Sequence, residues 1–307
     1  MILAAGPFRY EVDTDWGSPP DEGSFAECAA VAVDRDDNVW VFNIPTGELM
    51  VFAPDGGLIM VWPHTYENVH GVDFDPDGNV YLVNRNEHEV IKYSPDGVQL
   101  MTMGTRGVPS DTGYSLQKGR QTGWKHPVEQ AGHPFNVPSG VRVARSGDLY
   151  VSNGYANCRV HRFGPDGTLK QSWGQPGKGG PGQFHLVHGL FIDSRDRVLI
   201  CDRLNDRIQI YDLDGGYLDM WTDFSMTSKI HEGPDGEVVV TEHSGRITVL
   251  DLDGNILGRW GTADNTGLFA WPHGLAIDSN GSIYVGHVTE AGAPPGSGTR
   301  LTKLLRA

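Results

Sequence analysis

The chain has 307 residues, with 24 Lys and Arg against 39 Asp and Glu, for a formal net charge of −15. That acidity argues against nucleic acid or an anionic membrane surface as a partner, and no apolar run approaches the ~18 residues of a membrane-spanning helix. Forty-one Gly and 19 Pro suit a turn-dense β protein, and Cys28, Cys158 and Cys201 show neither metal-ligand nor disulfide-framework spacing.

Taken in order, the chain opens with Met1-Ile2-Leu3-Ala4-Ala5-Gly6, which lacks the basic start and long apolar core of a signal peptide. With the sparse cysteines, this sets the expectation of a cytoplasmic protein with reduced thiols. A strand, Phe8 to Val12, follows and leads into Asp15-Trp16-Gly17. From Asp34 onward one unit recurs: apolar strand, Asp, tight turn, second apolar strand, polar corner, third strand, Asp-Gly turn, fourth strand. The second copy shows every part, with Gly71 to Asp75, the turn Pro76-Asp77-Gly78-Asn79, Val80 to Asn84, Val90 to Tyr93, Ser94-Pro95-Asp96-Gly97 and Val98 to Met103. Asp-Gly between alternating apolar runs is among the strongest short hairpin signals, because both central residues accept positive φ.

The anchor at Asp75 recurs as Asp34, Asp75, Ala144, Asp193, Gly233 and Asp278, with gaps of 41, 69, 49, 40 and 45 residues. Four strands per ~40–50 residues is the signature of a β-propeller. The expectation is therefore an all-β, six-bladed propeller of four-stranded antiparallel blades, one domain over residues 1–307. The enlarged gap is a loop insertion at 104–138, which holds Gly107, Pro109, Gly113, Tyr114, Trp124, Lys125, His126, Pro127, His133 and Pro134 without periodicity. Loops of this length are often functional, and a lid governing substrate choice is expected. The last unit runs out at Leu301 to Leu305, before its fourth strand. Phe8 to Val12 should supply that strand, closing the ring and removing an exposed edge.

In such a ring the first strand of each unit lines the central channel. Five residues before the anchor, the six units read Ala29, His70, Ser139, His188, Ser228 and His273. Histidine in every second unit would bring three imidazoles together at ~120° intervals, the donor set of a catalytic zinc with an open position. Other divalent transition metals also accept imidazole.

Nine residues after the anchor the units read Asn43, Asn84, Asn153, Asp202, Glu242 and His287, a series suited to capping strand ends. Asn43 and His287 are retained as candidate substrate contacts. One residue further on, Arg85 and Arg203 stand in histidine-bearing units. Beside a cation, such arginines make sense for a carboxylate-bearing substrate. Tyr155 follows Gly154 in Asn153-Gly154-Tyr155-Ala156-Asn157-Cys158-Arg159, and a tyrosine beside a divalent cation can serve as a base.

At these residues the chain resembles peptidyl-α-hydroxyglycine α-amidating lyase, within the wider group of NHL-repeat propellers. The likeness is most specific from Asn153 through Pro181-Gly182-Gln183-Phe184 and His188 to Asp202-Arg203-Leu204-Asn205-Asp206-Arg207-Ile208-Gln209. The segments at His70 and His273 match as well. The resemblance implies zinc on His70, His188 and His273, Tyr155 as the catalytic base and Arg203 as a substrate contact. It implies cleavage of N–CH(OH)–CO₂⁻ into an amide and glyoxylate, with zinc polarising the hydroxyl. The family carries an arginine in its first unit where this chain has Asn43-Ile44, and its structural calcium uses an Asp where this chain has Gly274. Those departures point to a cytoplasmic relative acting on a different small, anionic α-hydroxy or carbonyl compound. Two other readings compete. One is a hydrolase, lactonase or isomerase using Asn84, Asn153, Asp202 and Glu242 as oxygen ligands for calcium. The other is a propeller that binds partners without chemistry.

Overall fold

The computed structural model describes residues 1–19, 25, 27–114, 128–289 and 301–307. The protein is an all-β, six-bladed β-propeller in class, and no α-helix occurs among the described residues. Five sheets hold four antiparallel strands each, one holds five, and a small parallel pair joins Gln175–Pro176 to Gln183–Phe184. None of the helical segments described is long and apolar enough to cross a membrane.

The second strand of each unit explains why the sheets stack. Val39–Asn43, Val80–Asn84, Leu149–Asn153, Val238–Glu242 and Ile283–His287 are buried at every position. A strand covered on both faces needs a continuous apolar run rather than alternation, which is what these segments carry. Outer strands such as Leu58–Thr65 and Gln99–Gly104 are largely exposed.

The tight turns differ from expectation in one respect. In the turn after Asp75, Gly78 takes φ +81°, and Asp77 is not among the positive-φ residues. Gly78 N–H donates to the Asp75 carbonyl at 2.9 Å, while Asp75 Oδ1 accepts from the backbone N–H groups of Asp77 and Asn79 at 3.1 and 2.9 Å. The aspartate thus caps its own turn, so a type I turn with one left-handed residue suffices.

The expected ring-closing pairing is present. Phe8–Asp13 pairs antiparallel with Leu301–Arg306, Tyr10 opposite Arg306. A further strand not read from the sequence, Ile2–Ala5, pairs with Phe8–Asp13 and makes the fifth strand of that sheet. Arg306 locks the closure: its guanidinium donates to Tyr10 Oη at 2.7 Å and Glu237 Oε1 at 3.0 Å, and lies 4.3 Å over the Phe8 ring. Burial pushes the Tyr10 phenol up to about 12, with the Glu237 charge adding to the rise.

Two compact units emerge, residues 1–69 with 225–307, and residues 70–224. In the first, the inner strands Cys28–Val33 and Thr227–Glu232 flank Pro272–Ile277, over cores built on Tyr10, Trp260 and Ile283, and on Trp16, Phe52 and Tyr284. In the second, Gly140–Val143 lies beside Val187–Ile192 and Val80–Asn84. Its cores centre on Phe184, Ile200 and Tyr211, and on Phe135, Phe163 and Val151.

Candidate metal centre

The inner strands carry a local irregularity that aims the histidines. Val187 pairs with Asp202 and Gly189 with Cys201, leaving His188 as an extra residue in a bulge. Pro272 pairs with His287 and Gly274 with Gly286, leaving His273 in the same situation. A bulge turns one side chain out of the regular alternation, a common device beside functional sites.

Hydrogen bonds then set the imidazole chemistry. His70 Nδ1 lies 2.7 Å from the Ser139 carbonyl and His273 Nδ1 lies 2.9 Å from the Ala29 carbonyl. A carbonyl only accepts, so both Nδ1 atoms carry the proton, and each neutral ring presents an Nε2 lone pair. Ser139 and Ala29 occupy the same repeat position as the histidines, one unit further along. Outer-sphere anchoring of this kind is how proteins fix the tautomer and aim of metal-binding histidines.

In the 70–224 unit, Tyr155 Oη sits 2.8 Å from His188 Nε2 and 3.1 Å from His70 Nε2. The two imidazole centroids are 4.8 Å apart and meet edge to face. A phenol has one proton, so it donates to one of these nitrogens at most; His70 Nε2 accepts when its Nδ1 carries the proton, and the His188 tautomer sets whether its Nε2 accepts or donates. The Arg85 guanidinium lies over the Tyr155 ring, 4.1 Å from the centroid. Its Nη1 donates to Asn86 Oδ1 at 3.2 Å, and its buried Nε has no hydrogen-bond partner among the described residues. Tyr114, from the long insertion, packs with Tyr155, Val137 and Ala156. Burial pushes its phenol up, the Arg85 charge opposes that rise, and Tyr155 adds to it. Sequence reasoning gave Tyr114 no site role, because an aperiodic Gly- and Pro-rich segment carries no signal of where its side chains fall.

His70, Tyr155, His188 and Arg85 are thus brought together within one unit. Arg203 in the same unit is buried and opens a short 3₁₀ turn, its N–H donating to the Leu186 carbonyl at 3.0 Å. In the other unit, Asn43 is buried at the end of its strand. His287 uses both ring nitrogens locally, Nδ1 with the Ala270 carbonyl at 2.8 Å and Nε2 with Thr302 Oγ1 at 3.1 Å. His273 meets His243 edge to face at 5.8 Å.

The series nine residues after the anchor acts mainly in capping. Asp202 Oδ2 accepts from Arg207 Nε at 2.8 Å, Asn205 at 2.8 Å and Gln209 at 3.1 Å. Glu242 accepts from Arg246, Thr248 and the Ser225 N–H. Asn84 donates to Glu89 at 2.8 Å. Oxygens so engaged make a poor calcium cage.

The buried histidines His70, His188 and His273 form a group that could hold a metal ion. His70 and His273, as neutral imidazoles with their Nδ1 protons committed, offer donors that suit zinc and its transition-metal neighbours. The thiols are poor candidates for ligands, since all three are buried and outside any disulfide, and burial pushes Cys28 well up and Cys158 to about 12.

Comparison with known proteins agrees with this picture. The NHL repeat family model matches residues 135–163. The human NHL repeat-containing protein 3 is 26% identical over 246 residues, covering 75% of this chain and 66% of that protein. Peptidyl-alpha-hydroxyglycine alpha-amidating lyase 1 of Drosophila melanogaster is 26% identical over 219 residues, covering 68% of this chain and 29% of the fly protein. Among solved structures, a streptogramin B lyase superposes with a TM-score of 0.66 at 12% identity, over 99% of this chain and 100% of that one. At that identity the match speaks for the fold alone. The protein is thus a β-propeller that resembles the NHL-repeat proteins, the peptidyl-α-hydroxyglycine α-amidating lyases among them.

Proposed function

We propose that this protein is a metal-dependent lyase that cleaves a C–N or C–C bond at a hydroxylated carbon of a small, carboxylate-bearing substrate. His70, His188 and His273 hold the ion, zinc in first place with another divalent transition metal as the alternative. The observation that carries the reading is Tyr155 Oη within hydrogen-bond reach of two buried imidazole Nε2 atoms. No structural capping role requires a phenol there, whereas a base for a hydroxyl bound at those nitrogens must stand at that point.

When bound, the ion would supply Lewis acidity to a carbinol hydroxyl. Tyr155 Oη is assigned to take the hydroxyl proton. The O–H electrons become the second bond of the new carbonyl as the bond from carbon to the leaving nitrogen breaks, and the proton passes to that nitrogen. Arg85 is stacked on the phenol ring with its positive charge against the π face, and its Nε–H, which has no partner among the described residues, would be available to a substrate carboxylate. Arg203 is assigned the second carboxylate contact by resemblance. Asn43 and His287 are assigned as substrate contacts from their place in the repeat; the occupied nitrogens of His287 restrict it to packing or backbone-mediated contact. Reduced, buried thiols accord with a cytoplasmic enzyme acting on free small molecules.

The test uses purified protein, metal analysis and an N-acyl-α-hydroxyglycine, with glyoxylate as the product measured. About one equivalent of zinc, lost in His188→Ala, and turnover reduced ~10²-fold or more in Tyr155→Phe are expected. Unimpaired turnover in Tyr155→Phe would refute the assignment of the base. Protein that binds calcium alone would favour a lactonase, and protein without metal a binding platform.

A further inference from the structure

The 104–138 insertion is expected from its length to be a lid, and its residues Trp124, Lys125, His126 and Pro127 lie outside those described. Its two described ends, residues 104–114 and 128–138, have a different relation to the site. Thr112 Oγ1 donates to the Ala156 carbonyl at 2.6 Å. Asn136 Nδ2 donates to Thr112 Oγ1 at 3.0 Å, to the Ser110 carbonyl at 2.9 Å and to the Tyr114 carbonyl at 3.3 Å. The Asn136 N–H donates to Asn153 Oδ1 at 3.2 Å, and Asn153 Nδ2 donates to the Pro134 carbonyl at 2.9 Å. Asn157 and Gly132 exchange a reciprocal pair, at 3.1 Å into Asn157 Oδ1 and 2.9 Å from its Nδ2.

These bonds converge on one short turn. Asn153, Ala156 and Asn157 surround Tyr155 in sequence, and each is tied to the insertion. Thr112, Asn136, Asn153 and Asn157 are wholly buried, so a broken bond leaves a polar group without water to replace the partner. A network with that penalty at every node holds one geometry. Asn153 is anchored on its far side as well, its Nδ2 lying 3.3 Å from His161 Nε2. Burial, reinforced by His133 and Arg159, holds His161 down to about 3, so that nitrogen keeps its lone pair through the neutral range.

We infer that the ends of the 104–138 segment form a clamp that fixes the position of Tyr155, with Thr112 and Asn136 as its positioning residues. The clamp's geometry stands by itself, while its catalytic consequence rests on Tyr155 being the base. Chain length in this insertion then serves to hold the reacting oxygen still, since a misplacement of ~1 Å can lower a rate ~10²-fold.

The experiment compares Thr112→Val, which keeps shape but removes the hydroxyl, with Thr112→Ser, which restores it. Amide hydrogen exchange of peptides spanning residues 153–158 should speed up ~10-fold or more in the valine variant and return to the wild-type rate in the serine variant. Peptides from Leu149–Ser152 and Arg159–Phe163 should stay at the wild-type rate in both. With zinc-loaded protein and an N-acyl-α-hydroxyglycine, kcat should fall ~10- to 100-fold in the valine variant with KM within about threefold of wild type. Unchanged exchange at 153–158 in Thr112→Val, or a serine variant that behaves like the valine one, overturns the clamp. Wild-type protein that does not turn over this substrate refutes C–N cleavage of N-acyl-α-hydroxyglycines and leaves the exchange result to decide the clamp.

Discussion

Gly154 offers the sharpest test of how the site is built. It precedes Tyr155, and a Cβ added there would lie 1.9 Å from the Val187 carbonyl oxygen, 2.3 Å from Val187 N and 2.4 Å from Val187 C. All three are backbone atoms of the strand that bears His188, so no side-chain rotation can relieve the clash. Ordinary contact begins near 3.4 Å, so Gly154→Ala must separate the two segments by about 1.5 Å, the difference between 3.4 and 1.9. Overpacking of this kind costs roughly 1–3 kcal/mol. The same displacement pulls Tyr155 and His188 apart, or moves both relative to His70. Zinc affinity should drop at least tenfold, and urea midpoints should fall with the slope unchanged. Gly180→Ala is the control, because nothing lies within 4 Å of its added Cβ; its effect should stay within about 0.5 kcal/mol. Wild-type stability and zinc affinity in Gly154→Ala would refute the claim that the tyrosine turn and the histidine strand are in fixed contact.

Three further outcomes follow from the same geometry. His161 is held from its ordinary value near 6.5 down to about 3, so between those limits the unfolded chain binds the extra proton. Stability should therefore decline as pH falls through that window, by up to roughly 1.4 kcal/mol per pH unit from this group. Urea titrations at pH 4, 5 and 6 should show a shallower decline in His161→Gln, and an identical slope would count against a buried neutral imidazole. Arg306→Ala leaves buried Glu237 without its cation and removes the lock between Phe8–Asp13 and the last strand. A loss of about 3 kcal/mol is expected from a partly buried pair, whereas Asp235→Asn, on the exposed side of the same arginine, should cost under about 1 kcal/mol. Zinc should raise the thermal midpoint of the metal-free protein in proportion to the logarithm of its concentration. The same titration on His273→Ala should show a much smaller rise, and an undiminished one would remove His273 from the ligand set.

Much of this was legible in the residues because propellers repeat. Each unit must bury a strand on both faces and turn tightly on an aspartate, so Val80 to Asn84 and its counterparts announce themselves by spacing. The alternation of His70, His188 and His273 with Ala and Ser is visible for the same reason: a position in a repeat is a position in space. The capping series was readable too, since Asn, Asp and Glu at strand ends have few alternatives.

Other features have no periodic trace. The bulges at His188 and His273 are read only from strand pairing, because an extra residue in a ladder looks like any other residue in sequence. The turn geometry at Asp75 depended on its side chain accepting two backbone N–H groups, a choice the Asp-Gly pair alone leaves open. The fifth strand, Ile2–Ala5, is short and weakly patterned and forms because Trp260 Nε1 and the Leu257 carbonyl provide partners for Ala4 and Gly6.

Sequence by itself determined the unit, its count, the closing strand and the three imidazoles, all consequences of local patterning repeated at intervals. Tertiary structure alone decided which oxygen meets the imidazoles of His70 and His188 and what holds it there. Thr112, Tyr114 and Asn136 lie dozens of residues from His188 and in no register with the repeat, and hydrogen bonds between buried groups so distant in the chain come into being only when the chain is folded.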